Sequence, residues 1–273
     1  MKKISILTLI VVIITSAYFI AKTYKGTCPL AKLRAEQRSA EIKKSESKNQ
    51  EGMLLLRLRK NKQALAIFNE VLAKDPGNIE ALWGKGEFLR RNYRFKEAEG
   101  IFNKTLQLKP GYLSALNSLA YIKYQQGNLS ESLKMVNEIL QNKEIDNENQ
   151  AHAYLLIGGI NGTLTDQGGI FAKMKYGTQI KPYFERARDI APELPETHVA
   201  LGTFYLKAPG IAGGDLKKAL FELEQAVKMA PDYATANARL AQAYKKMGKT
   251  DKYNFYIQKA KNLDPKDEAL LND

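Results

Sequence analysis

Cysteine and histidine are almost missing from this chain: Cys28 is its single cysteine, and His152 and His198 are its two histidines among 273 residues. One thiol excludes an intramolecular disulfide framework and any multi-cysteine zinc or iron–sulfur site. Two histidines, with no Cys or carboxylate cluster at ligand spacing, leave little for a metal or catalytic centre, and they read as packing or surface residues. Phosphate-cradling motifs are also missing. Gly168-Gly169 and Gly213-Gly214 lack both GxxxxGKS/T and GxGxxG spacing and the strand-to-helix context such loops need, so they read as flexible turns. The expectation is a protein without catalytic residues, cofactor or metal.

Acidic residues are in deficit, 29 Asp and Glu against 42 Lys and Arg, for a net charge of +13. Such a balance commonly signals nucleic acid or an anionic membrane surface, so its distribution matters. Residues 1–50 hold ten basic and three acidic side chains, a net of +7, and the remaining 223 residues hold a net of only +6. With no nucleic-acid-binding motif and a nearly balanced body, no nucleic-acid partner is expected.

The one long apolar run is Ile4 to Ala21, interrupted only by Ser, Thr and Tyr. At about 1.5 Å per residue it reaches roughly 27 Å, close to a ~30 Å hydrocarbon core, and Tyr18 and Lys22 suit an interface. Residues 1–25 are therefore expected to enter a membrane. Apolar residues continue past Thr15-Ser16-Ala17, which favours an uncleaved anchor over a cleaved signal peptide. Lys25-Gly26-Thr27 does not form a lipoprotein signature ahead of Cys28. Lys2 and Lys3 favour a cytoplasmic N-terminus and a body outside the cytoplasm; Lys22, Lys25, Lys32, Arg34 and Arg38 pull the other way and keep a cytosol-facing body as an alternative. Residues 26–44 form a polar, basic linker.

The remainder, 45–273, is repetitive. Four stretches end alike: Ala64 to Pro76, Ala98 to Pro110, Phe184 to Pro192 and Ala219 to Pro231. Pro76 to Pro110 and Pro231 to Pro265 are both 34-residue intervals. Each unit reads as two amphipathic helices, the first carrying a small residue at Gly52, Gly86, Ala120, Gly158, Gly202 and Ala241. In undisturbed units a small or polar residue, or Tyr253, follows twelve positions later, and Phe68, Phe102, Val136 or Ile257 follows sixteen later. Large side chains are thus expected to fill the space left by small ones, and the proline ends the second helix. Unit boundaries fall near 45–78, 79–112, 113–146, 151–194, 195–233 and 234–267. Extra residues lie within 163–177 of the fourth unit and 208–215 of the fifth, expected to project from one edge; Asp215 reads as an N-cap.

These positions resemble the tetratricopeptide repeat (TPR) family. The resemblance implies an all-α right-handed solenoid of about six helix pairs with a concave surface lined by the first helices, which the apolar run places behind an N-terminal membrane helix. Aligning the units places groove candidates at Trp83, Glu87, Arg90, Arg91, Asn117, Tyr121, Tyr124, Gln242 and Lys245, with Asn49, Met53, Leu155, Thr203 and Lys246 beside them. Trp83, Tyr121 and Tyr124 supply flat apolar area, Arg90 and Arg91 can fork onto a carboxylate, and Asn117 onto a peptide backbone. Asn49, Met53 and Glu87 depart from the Lys and Asn of repeats that clamp acidic chaperone tails, so that activity is not implied. The implied function is a non-catalytic scaffold of the cell envelope that binds a protein or peptide segment. The alternatives are a periplasmic accessory of a transport system and a membrane-anchored cytosolic receptor. Tyr253, Phe255, Tyr256 and Ile257 near the C-terminal end add self-association as a secondary expectation.

Overall fold

The computed structural model describes residues 29–271. The apolar run 4–21 lies outside them, and among the described residues no helix is long and apolar enough to cross a membrane. The chain divides into two compact units, Met1–Ser47 and Lys48–Asp273. In the first, the described residues are helical, and 36–44 are solvent-exposed. Helix α1, Pro29–Arg57, shows no apolar stripe there; burial begins with Asn49, Gly52 and Leu56 in the second unit.

The second unit is an all-helical solenoid of antiparallel pairs. The end of α1 pairs with α2 (Asn61–Lys74), α3 (Ile79–Arg91) with α4 (Phe95–Leu108), and α5 (Leu113–Gln125) with α6 (Leu129–Leu140). Next come α7 (Asn147–Gln167) and α8 (Thr178–Ile190), then α9 (Pro195–Lys207) and α10 (Leu216–Met229). Helices α11 (Ala234–Lys246) and α12 (Thr250–Leu263) complete the pairs, and a single turn, α13 (Glu268–Leu271), follows.

Small-to-large packing holds the pairs together. A Cβ added at Gly52 would lie 2.5 Å from Phe68 Cε1, and one at Gly202 would lie 2.6 Å from Leu223 Cγ. Gly86 meets Phe102 and Gly158 meets Phe184 in the same way. Gly84 closes on Phe68 from the following unit, so this wholly buried ring is gripped between two glycines. In the third pair, Ser132 Oγ donates to the Ala120 carbonyl at 2.8 Å. The closing prolines act where expected: Asp75, Lys109, Ala191, Ala230 and Asp264 donate the last helical N–H groups, and Pro76, Pro110, Pro192, Pro231 and Pro265 have none to continue the ladder.

The fourth unit takes up its extra residues as helix. Helix α7 has 21 residues where α3, α5, α9 and α11 have 13, an extension of about 12 Å. A short turn, Ile170–Ala172, and a π-helical turn, Lys173–Gly177, then lead into α8, with Ile170, Phe171 and Met174 exposed. In the fifth unit a 3-10 turn, Gly210–Ala212, reverses at Gly213 (φ 95°), and Gly214 lies against the Ala208 carbonyl where no Cβ fits. At the C-terminal end Ala269 packs with Ala238 and Ala260, and its carbonyl accepts from Gln242 Nε2 at 2.8 Å.

Candidate partner-binding groove

The first helices α1, α3, α5, α7, α9 and α11 turn inward around a cavity of about 530 Å³. Of the candidates read from the sequence, Trp83, Glu87, Arg90, Arg91, Tyr121 and Tyr124 line it together with Met53, Leu155 and Thr203. The others sit elsewhere. Asn117 is buried between α5 and α7, donating to the Asn149 carbonyl and Oδ1, and borders a side recess of about 70 Å³. Asn49 is buried and donates to Asn78 Oδ1 and Glu80 Oε2. Gln242 is held by the C-terminal turn, Lys245 lies over the Tyr253 ring, and Lys246 Nζ donates to the Leu206 carbonyl at 2.6 Å.

Glu87 organises the wall on α3. Arg90 grips both its carboxylate oxygens, at 2.9 and 2.7 Å, and Arg91 Nε lies 3.6 Å away. Ser118 donates to Glu87 Oε1 at 2.7 Å and accepts from Trp83 Nε1 at 3.1 Å. Burial alone would push the Glu87 carboxyl up; Arg90, then Arg91 and Ser118, overcome it and hold the group at about 2. Arg91 is drawn down to about 10 by burial and by repulsion from Arg59, yet stays charged near neutrality. It donates to the Leu56 carbonyl and Asn61 Oδ1, while the Arg90 guanidinium lies 4.3 Å from the Tyr121 ring centroid. The fork that the sequence suggested for a partner's carboxylate is thus engaged with an internal one.

A second set of contacts joins the first two repeats to the last three across the cavity. Arg59 pairs with Glu196 at the start of α9 and stacks 3.7 Å from the Tyr233 ring centroid. Arg57 pairs with Glu148 at 2.8 Å, and the Tyr93 hydroxyl donates to Asp264 at 2.8 Å. Burial would raise the Glu196 carboxyl, but Arg59, with His152 and Arg91, holds it at about 2. Burial and the Asp264 carboxylate raise the Tyr93 phenol, which stays protonated as a donor.

Arg59 and Tyr93 are the positive-φ non-glycine residues among the described residues, at 64° and 60°. They stand 34 residues apart, and another 34 leads to Gly127 (φ 81°). The turn before α12 has Gly248 (φ 69°) at the corresponding place. Holding a side chain in this region costs about 1–2 kcal/mol. Sequence reading passed over both residues; the available signal was Arg and Tyr at a register position that takes glycine elsewhere.

Tetratricopeptide repeat models match residues 49–113 and 211–271, so the chain carries tetratricopeptide repeats at both ends of its solenoid. No curated protein matches. Among solved structures, a human IFIT1 dimer with m7Gppp-AAAA superposes with a TM-score of 0.56 at 21% identity, over 84% of this chain and 52% of that one. The APC/C hetero-tetramer Cut9–Hcn1 gives 0.55 at 14% identity, over 84% and 42%. PilF of Pseudomonas aeruginosa gives 0.46 at 16% identity, over 85% and 97%. At these identities the first two show a likeness of fold alone.

Proposed function

We propose that this protein is a non-catalytic scaffold of the cell envelope that receives a segment of another protein in the cavity enclosed by its first helices. Proteins built of tetratricopeptide repeats generally mediate protein–protein interactions. The observation that carries the reading is the convergence of Trp83, Tyr121, Tyr124, Leu155 and Thr203, from α3, α5, α7 and α9, on one cavity. A surface of aromatic and aliphatic side chains on rigid helices suits contact with a peptide segment more than bond-making. The envelope location rests on the apolar run 4–21 and Lys2-Lys3, with the repeat body outside the cytoplasm.

Photo-crosslinking in intact cells tests this. A photoreactive residue in place of Thr203, half-buried in the cavity, is expected to capture a distinct protein; the same residue in place of the exposed Phe255 on α12 serves as the control. Capture of one set of proteins from both positions, or of none from position 203, would overturn the groove. Protease accessibility in spheroplasts tests the location, and protection of the repeat body would refute it.

A further inference from the structure

The cavity differs in charge from the chain around it. The whole protein carries +13, yet seven carboxylates and five guanidiniums line the cavity. The guanidiniums of Arg57, Arg59, Arg90 and Arg91 are committed to Glu148, Glu196 and Glu87. Asp264 and Asp267, on the C-terminal side, accept from neutral groups: Tyr93 and the Lys266 amide, and Thr235 and the Ala269 amide. Glu196 Oε2 and Arg59 Nε are buried without a hydrogen-bond partner, so the pair that closes the ring leaves one acceptor and one donor unused at the cavity wall.

The ring is closed by the residues that pay for it in backbone strain. Arg59 and Tyr93 hold left-handed conformations where the third and sixth units use glycine, and each spends its side chain on a contact across the cavity, 137 and 171 residues away in sequence. Glycine would make the same turns without strain, so the turn itself does not require these side chains.

We propose that Arg59–Glu196, with Arg57–Glu148 and Tyr93–Asp264, is a latch that closes the solenoid over its own groove, and that the segment admitted when it opens is cationic, a lysine- or arginine-bearing stretch of another protein. This rests on the groove reading given above. Such a segment replaces Arg59 and Arg57 on Glu196 and Glu148, meets Asp264 and Asp267, and finds the face of Tyr233 that Arg59 vacates. An acidic segment meets a net negative wall.

Double electron–electron resonance on the full chain, with Cys28→Ser and spin labels at Lys60→Cys and Glu193→Cys, measures the latch directly. Both label sites are exposed and flank the pair. Expected is one short distance in the wild type and a longer, broader distribution in Arg59→Gly/Tyr93→Gly and in Glu196→Gln. An unchanged distribution in both variants would overturn the latch. For the occupant, the probe is a fluorescein-labelled ten-residue peptide of Lys, Arg, Leu and Tyr, beside its counterpart with Glu for every base. Tighter binding of the basic peptide, by tenfold or more, and a further gain in the glycine variant are expected; equal or tighter binding of the acidic one would overturn the cationic assignment. Opening of the latch with neither peptide bound by either protein would leave the latch standing and count against the groove reading.

Discussion

The indole of Trp83 donates to the Ser118 hydroxyl at 3.1 Å, and through it Trp83 on α3 is tied to α5 and to the Glu87 carboxylate. Because Trp83 is the chain's single tryptophan among 14 tyrosines, emission excited selectively in the tryptophan band reports on this network. Glu87→Gln leaves the partly buried Arg90 and Arg91 without their buried counter-charge, and breaking a buried pair in this way costs about 3–5 kcal/mol. The expected result is a lower urea midpoint, with a changed emission maximum in the native baseline. Ser118→Ala removes only the bridge and is expected to shift the emission with a loss of about 1–2 kcal/mol. Unchanged emission in both would show that Trp83 is not coupled to Glu87.

Glycines in the repeat are expected to respond to alanine with opposite signs. Gly52 and Gly84 both face Phe68, so either substitution must displace a wholly buried ring, an overpacking of about 1–3 kcal/mol. Gly100 in α4 is exposed, with nothing within 4 Å of an added Cβ, and Gly100→Ala should stabilise by about 0.5–1 kcal/mol. Urea unfolding of the three variants checks this; a Gly52→Ala protein as stable as Gly100→Ala would contradict the packing.

His198 gives stability a pH dependence. Its Nδ1 lies 2.6 Å from Glu222 Oε2 and its Nε2 3.0 Å from the Pro192 carbonyl. Both partners are acceptors, so the ring is satisfied only when both nitrogens carry protons. Burial opposes the charge, but Glu222 and the Pro192 carbonyl prevail over it and over the nearby Arg188, raising the imidazole above its ordinary 6.5. Its contribution is complete below 6.5 and fades as pH rises through the raised value. Glu222, held below its ordinary 4.5 against burial by His198 and Arg188, contributes above that value and loses its contribution as pH falls. Stability should therefore fall from about pH 6.5 upward in the wild type and not in His198→Gln. With one other histidine in the chain, proton NMR can assign the titration, and an imidazole titrating below 6.5 would refute the scheme.

Two aspartates cap helices and should be separable from the core. Asp146 Oδ1 accepts the Asn149 amide at 2.8 Å, and Asp215 Oδ1 accepts the Lys217 and Lys218 amides at 2.9 and 3.1 Å. Each Asp→Ala is expected to lower stability by about 1 kcal/mol. Asp→Asn should recover most of it, and thermal unfolding that ranks Asn with Ala would show that the cap is not the cause.

The sequence was most legible where chemistry repeats. Gly52 with Phe68, Gly86 with Phe102 and the closing prolines follow a 34-residue register, and the packing that their sizes imply is what the helices show. Asp215 caps α10 because a short acceptor beside the first turn has no better partner. What the register could not reveal is contact between repeats that are not neighbours. Arg59 and Glu196 belong to no common period, and their pairing depends on accumulated superhelical rotation over several units. Alignment likewise placed Asn117, Gln242 and Lys245 on the groove, but packing between helices or against the C-terminal turn claims Asn117 and Gln242, and Lys245 lies over Tyr253. The internal use of Arg90 was within reach, since Glu87 stands three residues before it on one helical face.

A closing proline keeps the second helix from running into the next in five of the six repeats, and α6 ends at Leu140 without one. Removing residues 79–112 would bring Ser118 to the place of Gly84 against Phe68, where a Cβ does not fit, and would leave one fewer step of rotation between Arg59 and Glu196. The latch proposed above would add a constraint of phase to that of nearest-neighbour packing: a chain one repeat shorter would carry Arg59 to a different point of the superhelix from the one where it meets Glu196.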